Sequence, residues 1–348
     1  MSTIAILIPT LKKGGAEKQA VLLGNALADT HKVHLFVLFP EAGLEKELMD
    51  LYAPGPENIT MFSGSSMSRL RELYRRLRAI KADTMFCYLT YPDFWGPIVG
   101  RMAGVKHIYQ GLRNASLPTA KLMLEKIGNV LATGAVVNNY AGMDVFGRKG
   151  IRRMTVIPNC YLNPKAAVER PMRETVRVVS VARFVAQKDY ETAIAAFARA
   201  NAAVPSLRYL IIGHGELEQQ IREWIKAYGV EDCVEMIINP KNIPSFLADS
   251  DIYLSTSLFE GTSNSIMEAM DASLPVVATD VGDNARLVDN GKSGFVVPAK
   301  DVDAISSAIV RLAESHDLRV RMGREGNCIL HREYSMQAFR QNYLKLLS

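Results

Sequence analysis

Short apolar runs alternate with longer amphipathic segments along the whole chain. In the first half the apolar runs, rich in β-branched residues, lie at 4–9, 32–39, 84–89, 106–110, 134–138 and 154–158. Between them, apolar residues recur at helical spacing near 15–29, 69–81, 95–103, 118–131 and 140–148. Strands that alternate with helices in this way predict a parallel, doubly wound sheet with helices on both faces.

The alternation stops at 163–175 and then starts again. This segment has two prolines and mixed charge without any period, which indicates a linker. The second series of apolar runs lies at 176–182, 207–213, 233–238, 251–256, 275–279 and 294–298. Its predicted helices lie near 189–203, 215–228, 243–249, 264–272, 302–315 and 336–348.

The pattern predicts an α/β protein with two Rossmann-like, doubly wound domains that face a central cleft. The domains are expected at 1–165 and 166–330. A C-terminal helix is expected within 331–348, and its return to the first domain is one option. Ligands of open α/β sheets bind outside the carboxyl ends of the strands, so the cleft is the expected site.

Composition narrows the class of protein. The chain has 348 residues, enough for two domains, and 22% of them are charged, as in ordinary globular proteins. No apolar run reaches the roughly 18 residues that a membrane span needs. The start, MSTIAILIPT, is typical of a buried strand rather than a signal peptide. The four cysteines form no CxxC, which favours a reducing, cytoplasmic location over disulfides or structural zinc.

The net charge of +5 is unevenly distributed. Residues 1–165 hold 21 Lys/Arg and 12 Asp/Glu, whereas the remainder holds 20 and 24. The segment RLRELYRRLRAIK (69–81) predicts a basic amphipathic helix. Two interpretations stay open, namely a solvated outer face or docking on an anionic membrane surface. No nucleic-acid recognition fold accompanies this charge, so we expect no nucleic-acid partner.

Glycine and charge recur where predicted strands lead into helices. In TLKKGGAEKQ (10–19), Gly14 and Gly15 let the backbone approach a ligand at a helix N-terminus. This is not GxGxxG, and no acid follows the second strand, so a nicotinamide dinucleotide is disfavoured. At the next such turn, Arg183 ends a strand and Lys188 precedes a helix. The two cations suit a diphosphate, although solvated loop cations would look the same.

The stretch LFEGTSNSIMEAM (258–270) places Glu260 and Glu268 on either side of a helix start. Ser265 and Glu268 fit a capping box, in which each side chain satisfies a free backbone N–H. A helix that begins near Ser263 would also offer amides to a phosphate, and carboxylates accept hydrogen bonds from sugar diols. Together with the two cations, these groups predict a sugar-nucleotide site.

In this order, the motifs resemble those of GT-B fold retaining glycosyltransferases of family four, bacterial enzymes that build surface polysaccharides and lipid-linked glycans. The resemblance covers nearly the whole chain. It rests on KKGGAEKQ (12–19), VVNNYAGMDVFGRKGIRRMTVIPNC (136–160), ARFVAQKDYETAIAAF (182–197) and FEGTSNSIMEAMDASLPVVATDVGDNARLV (259–288).

The resemblance implies residue roles. Arg183 and Lys188 would neutralise the leaving diphosphate, Glu260 would contact the transferred sugar and Glu268 would bind the ribose. Arg113, in GLRNAS, stands where the family often has an acceptor-side histidine. The resemblance implies donor-binding positions at Gly14, Gly15, Gly261, Thr262, Ser263, Asn264 and His214. His214 replaces the usual acidic residue of its turn, so a base contact and an exposed turn residue both stay open.

The resemblance also implies the reaction. A hexosyl or N-acetylhexosaminyl group would pass, with retention, from a UDP-sugar to a saccharide or lipid-linked saccharide. No metal cofactor is expected, since no Asp-x-Asp motif follows a predicted strand. The expected location is cytoplasmic, with peripheral binding to the inner membrane face as an option. A GT-B sugar-nucleotide epimerase and a catalytically silent sugar-nucleotide-binding scaffold remain alternatives.

Overall fold

The computed structural model describes residues 1–12, 14–113 and 118–348, which form two compact units. Unit 1 comprises Met1–Cys160 and Met336–Ser348, and unit 2 comprises Tyr161–Ser335. The division at 160 lies five residues before the boundary expected from the sequence. The C-terminal helix counts with unit 1.

The described part of unit 1 is built on a parallel sheet. Its strands are β1 (Thr3–Ile8), β2 (Lys32–Val37), β3 (Ile59–Met61), β4 (Thr84–Tyr88), β5 (His107–Leu112), β6 (Gly134–Val137) and β7 (Met154–Val156). Its helices are α1 (Gly15–Leu27), α2 (Lys46–Asp50), α3 (Ser66–Ala79), α4 (Thr90–Ala103), α5 (Thr119–Leu131), α6 (Tyr140–Arg148) and α14 (Met336–Leu347). The strand order is β3-β2-β1-β4-β5-β6-β7.

Unit 2 repeats this architecture with a second parallel sheet. Its strands are β8 (Arg177–Val181), β9 (Arg208–Gly213), β10 (Val234–Ile238), β11 (Ile252–Ser255), β12 (Val276–Thr279) and β13 (Gly294–Val297). Its helices are α7 (Tyr190–Ala203), α8 (Glu218–Ala227), α9 (Ile243–Ala248), α10 (Asn264–Asp271), α11 (Asn284–Leu287), α12 (Val302–Ala313) and α13 (His316–Glu333). The strand order is β10-β9-β8-β11-β12-β13.

The strand order creates one switch point in each sheet. In unit 1 the strands that follow β1 are added toward one edge of the sheet, and from β4 onward they are added toward the other edge. In unit 2 the same reversal lies between β8 and β11. Ligands of doubly wound sheets bind at the carboxyl ends of such strand pairs. In unit 2 this position is shared by the loops at 182–189 and 256–263.

Two segments depart from their sequence patterns. The predicted linker at 163–175 has no helix or strand, but Arg170 ties it to unit 2 through the carbonyls of Leu247, Ala248 and Ser250. These contacts bury the guanidinium of Arg170, and burial lowers its pKa to about 10. Helix α13 was not predicted, because its sequence is rich in charge and contains Gly323. That glycine instead permits close packing, since a Cβ there would lie 2.0 Å from the Ser273 carbonyl oxygen.

Helix α3, which contains most of the basic segment 69–81, turns its apolar side inward. Leu70, Leu73 and Leu77 are buried in the core of unit 1, and Arg69 is buried beside them. The outer surface of the helix is therefore basic, with Arg71 and Arg75 exposed to solvent. Within the described ranges, no helix is both long and apolar enough to cross a bilayer.

Candidate functional site

Lys188 and Glu260 meet at the switch point of unit 2. Lys188 ends a short 3-10 turn after β8, and its Nζ forms an ion pair with Glu260 Oε1. Ser257 Oγ donates to the same carboxylate oxygen at 2.7 Å. The Lys188 and Glu260 side chains are only 15% and 10% exposed. At this burial the pair is held in one geometry, unlike a mobile surface ion pair.

Backbone contacts hold the two loops of this site together. Thr256 Oγ1 donates to the carbonyl oxygens of Lys188 and Asp189, at 2.9 and 3.0 Å. Gln187 Nε2 donates to the Phe259 carbonyl at 2.7 Å. The Lys188 loop and the Glu260 loop are thus tied on both sides of the ion pair.

Gly282 lets a third loop pass close behind Glu260. Its φ of +59° lies in the left-handed region that favours glycine. A Cβ at this position would lie 2.1 Å from the Glu260 carbonyl oxygen. The DVGDN turn after β12 therefore fixes the backbone of Glu260, a role that the sequence did not reveal.

The helix next to Glu260 begins where the sequence predicted, but without the predicted capping box. Ser263 is the N-cap residue of α10, and its side chain makes no capping hydrogen bond. Ser265 lies inside the first turn and its Oγ is 3.3 Å from Ser263 Oγ, so the capping-box interpretation of Ser265 and Glu268 is wrong. The first turn of a helix has N–H groups without intrahelical acceptors. Gly261, Thr262, Ser263 and Asn264 lie at this end.

Glu268 lies one turn further along α10 and is half-buried. It lines a pocket of about 630 Å³ in unit 2, together with Tyr161, Lys241 and Ile243. Burial, and then the charges of Glu268 and Glu260, raise the pKa of the Tyr253 phenol on β11. Both carboxylates are therefore close enough to this phenol for their charges to act on it.

Arg183 and His214 lie side by side on neighbouring loops, and both side chains are exposed. The His214 carbonyl accepts a hydrogen bond from Phe184 N at 2.8 Å. The flanking glycines have a structural reason, because a Cβ at Gly213 would lie 1.9 Å from the Ala182 carbonyl oxygen. A base contact by the His214 side chain stays a prediction.

The glycine pair of unit 1 lies at the start of α1. Gly14 is the N-cap residue, and the carboxylate of Glu17 lies close to it. A Cβ at Gly14 would lie 2.3 Å from Glu17 Oε2, whereas a Cβ at Gly15 would meet open space. Glu17 is a residue that sequence reasoning missed. Its buried carboxylate occupies the helix end where an anion would be favoured.

Arg113, the predicted acceptor-side residue, has a buried guanidinium in unit 1. It stacks over the Tyr88 ring at 4.9 Å and donates to Asn159 Oδ1 at 3.1 Å. Burial alone would lower the pKa of Arg113, but the nearby phenols of Tyr88 and Tyr343 raise it. The rest of the GLRNAS stretch, 114–116, lies outside the described residues. The position suits a fixed internal cation.

Two buried carboxyl groups of unit 1 were missed by sequence reasoning. Asp93 accepts from Gly111 N at 3.0 Å, and Glu125 accepts from Thr90 Oγ1 at 3.2 Å. Within the described residues, Asp93 Oδ2 and Glu125 Oε2 have no hydrogen-bond partner. Burial raises the pKa of Glu125 to about 7, and burial together with the charge of Glu125 raises that of Asp93. No local sequence signal separates these acids from ordinary surface positions.

Metal-ligand clusters were sought among the same described ranges. No group of three His, Cys, Asp or Glu side chains there is arranged to hold a metal ion. Lys188 is the cation that pairs with Glu260, and Arg183 lies five residues before it with its side chain exposed.

A comparison with family models matches residues 166–327 to Glycosyl transferases group 1. This range covers most of unit 2 and contains Arg183, Lys188, Glu260 and Glu268. The match therefore includes the ion pair, the exposed arginine and the start of α10.

Several bacterial glycosyltransferases are similar to this chain over different parts of its length. A lipopolysaccharide core biosynthesis glycosyltransferase of Rhizobium meliloti is 25% identical over 97% of this chain and 96% of its own length. An amylovoran biosynthesis glycosyltransferase of Erwinia amylovora is 31% identical over 47% of this chain, which spans only 42% of that protein. A Campylobacter jejuni N-acetylgalactosaminyltransferase that acts on a diphospho-undecaprenol saccharide is 23% identical over 92% of each chain.

Solved structures share the architecture. The Anabaena protein HepE, solved in complex with UDP, aligns with a TM-score of 0.81, 19% identity and 99% coverage of both chains. The lipopolysaccharide outer core galactosyltransferase WaaB aligns with a TM-score of 0.78 and 16% identity, over 100% of this chain and 99% of its own. The prediction of two Rossmann-like domains of the GT-B type is confirmed.

Proposed function

We propose, from the premise that residues 166–327 are a glycosyl transferases group 1 domain, that the whole chain is a retaining glycosyltransferase of bacterial surface glycan synthesis. The domain itself is the one that the motifs predicted. The reaction would move a hexosyl or N-acetylhexosaminyl group from a UDP-sugar to a saccharide or lipid-linked saccharide. Support for the lipid-linked class comes from the full-length similarity to the Campylobacter enzyme.

The ion pair between Lys188 and Glu260 is the observation that carries this proposal. In the free site each group neutralises the other. When the diphosphate of the donor binds, Lys188 exchanges Glu260 for phosphate oxygens, and Arg183 adds a second cation from the neighbouring loop. Glu260, still held by Ser257, then accepts a hydrogen bond from the sugar. Cations that are in place before the bond breaks stabilise the leaving group with little reorganisation.

The remaining predicted residues complete the donor and acceptor sides. Glu268 would bind the ribose, and the amides of Gly261–Asn264 would meet the sugar and distal phosphate. Of the other predicted positions, His214 would lie near the base, Gly14 and Gly15 would face the donor, and Arg113 would position the acceptor side from within unit 1. No carboxylate is assigned as a nucleophile, so the proposal is front-side attack with retention.

A thermal-shift panel tests the donor site first. Ligand that binds the folded protein raises the melting temperature by mass action. We expect UDP and one UDP-sugar to stabilise the wild type and a control variant at the exposed Glu235, Glu235→Ala, but not Glu268→Ala. Stabilisation by GDP or ADP alone would mean that the donor is a GDP-sugar or an ADP-sugar instead of a UDP-sugar. No shift with any nucleotide at millimolar concentration would contradict the proposal and favour the silent scaffold.

A product assay then tests the reaction. Incubation of the UDP-sugar with lipid-linked saccharide should release UDP and extend the acceptor with an α-configured sugar if the donor is α-linked. The charge of the diphosphate is met by Lys188 and Arg183, so chelation of divalent metals by EDTA should leave the rate unchanged. An altered UDP-sugar that forms without any acceptor would favour the epimerase.

A further inference from the structure

Helix α5 of unit 1 has an inverted polarity. Its exposed apolar face is formed by residues that are between 37% and 77% exposed, namely Met123, Leu124, Ile127, Val130 and Leu131. These positions follow one another at helical spacing and share one side of the helix. The opposite, buried side is polar and contains Glu125, Gly128 and Asn129.

The inward side of α5 is fixed by its contacts, so the helix cannot rotate to bury its apolar side. A Cβ at Gly128 would lie 2.1 Å from the Asp93 carbonyl oxygen, so only glycine fits this close approach to α4. Asn129 Nδ2 donates to Gln110 Oε1 at 3.0 Å, and Asn129 Oδ1 accepts from Arg152 N at 3.1 Å. The fold therefore holds the apolar residues of α5 in solvent.

Basic residues lie on α5 and at its C-terminal end. Arg101 Nε donates to the Leu131 carbonyl at 2.8 Å, and Arg153 Nη2 donates to the Asn129 carbonyl at 2.6 Å. Lys121 and Lys126 lie on α5 itself. The segment 101–153 holds nine Lys/Arg and two Asp/Glu, and one of these two acids is the buried Glu125. Apart from the buried Arg113 and Glu125, the segment holds eight basic residues and one acid, so this part of unit 1 is mostly positive. We call Arg101, Lys121, Lys126 and Arg153 the basic rim of the apolar face.

We propose that the exposed apolar face of α5 is a docking surface for an anionic lipid bilayer. Apolar side chains would enter the boundary between headgroups and acyl chains, while the basic rim would meet the anionic headgroups. A large exposed apolar patch with a polar rim is typical of such interaction sites. This inference does not depend on the proposed reaction.

Charge decides between this occupant and a second copy of the chain. A two-fold dimer would place the same patch of both copies face to face. The Arg101, Lys121, Lys126 and Arg153 rims would then oppose one another, and like charges across an interface are unfavourable. Anionic lipid is complementary to both the apolar centre and the rim. Helix α3, by contrast, has its apolar stripe in the core and offers a membrane little beyond charge.

Vesicle flotation with the full chain tests the proposal. Vesicles of phosphatidylcholine with phosphatidylglycerol should carry the wild type, and vesicles of phosphatidylcholine alone should carry much less. The double variant Ile127→Glu, Val130→Glu should lower the bound fraction on anionic vesicles about tenfold or more, because both substitutions put charge at the apolar centre. Met67→Glu is the control. Met67 is an apolar residue of the basic helix α3, and its exposed fraction of 57% lies between those of Ile127 and Val130.

Two results would overturn the proposal. In the first, the double variant of α5 floats as the wild type does, whereas flotation is lost in Met67→Glu or in a second double variant, Arg71→Gln with Arg75→Gln. That result would place docking on α3. The other is a wild-type chain that floats with neither vesicle and forms a dimer in light scattering that the double variant abolishes. Calorimetric melting of unit 1, which holds all the substituted residues, verifies that each variant is folded. Failure of UDP to stabilise the wild type would concern the donor site in unit 2 alone.

Discussion

Lys188 supplies a positive charge where the leaving diphosphate would bind, and Glu260 neutralises that charge in the free site. Replacement by alanine would leave Glu260 with Ser257 as a partner, so the fold should survive. We expect Lys188→Ala to lower turnover by about two to three orders of magnitude, the effect of losing one preorganised electrostatic contact. Turnover assays with the exposed Lys292→Ala as a control check this. Turnover near that of the wild type would refute the role of Lys188.

The raised pKa of Glu125 predicts that the stability of the protein depends on pH. Its pKa of about 7 in the folded protein lies above the ordinary value of 4.5, so the folded state binds this proton more tightly than the unfolded state. The contribution of the group to the free energy of unfolding is therefore full below about pH 4.5 and is lost as the pH rises through 7. Glu125→Gln keeps an acceptor for Thr90 but cannot ionise. Its melting temperature should fall less than that of the wild type between pH 4.5 and 8.

The control for this pH series is Glu314→Gln, a change at an exposed carboxylate of unit 2. Its melting temperature should follow that of the wild type at every pH. An equal pH slope in wild type and Glu125→Gln would show that Glu125 titrates as it does in the unfolded chain.

At the scale of elements, α13 offers a matched pair of glycines. A Cβ at Gly323 would lie 2.0 Å from the Ser273 carbonyl oxygen, whereas one at Gly326 would lie 3.6 Å from Met270 Cγ, an ordinary contact. Gly323→Ala should lower the free energy of unfolding by about 1–3 kcal/mol through overpacking. Gly326→Ala should leave it unchanged or raise it by up to about 1 kcal/mol. Urea denaturation measures both, and equal effects would contradict the packing of α13.

The strands were predictable from the sequence because they are buried on both faces and read as continuous apolar runs. In β1, five of the six residues are buried. Helix faces were less predictable, because the side that a helix buries depends on its partner. The periodicity of α5 predicts an apolar inner face, yet Asp93 and Gln110, distant in sequence, provide a polar surface that accepts Glu125 and Asn129 instead.

In the candidate site, too, some residues were predictable from the sequence and others were not. Lys188 and Glu260 were predictable as a pair of strand-end residues, because strand order at a switch point follows from the doubly wound pattern. The supports of the pair, Ser257, Thr256 and Gly282, were not predictable. Their roles come from hydrogen bonds and close backbone approaches between loops that are separate in sequence. The absent capping box at Ser265 has the same origin, since the loop geometry places the N-cap two residues earlier.

At the scale of the whole molecule, the chain returns to unit 1 through α14. Phe339 and Tyr343 are buried there, and the Tyr343 ring packs edge-on against Phe86 at 5.3 Å between centroids. Phe339→Ala should lower the stability of unit 1 by about 3–5 kcal/mol, the usual cost of removing a buried phenylalanine ring.

Calorimetry and UDP titration of the same variants test this return. The exposed Lys345→Ala should leave the melting of unit 1 unchanged. UDP binding should persist in Phe339→Ala, because the proposed donor residues Lys188 and Glu268 belong to unit 2. Loss of UDP binding together with unchanged melting would contradict the division of the chain into these units.

The return of α14 also sets an order of events on the ribosome. Domains commonly fold in the order in which they are made. Here the unit that is made first lacks Phe339 and Tyr343 until all of unit 2 has been translated. The apolar surface of Phe86 that Tyr343 covers therefore stays open to chaperones and proteases during synthesis. A nascent chain arrested within unit 2 would leave the earlier unit, rather than only the later one, incomplete.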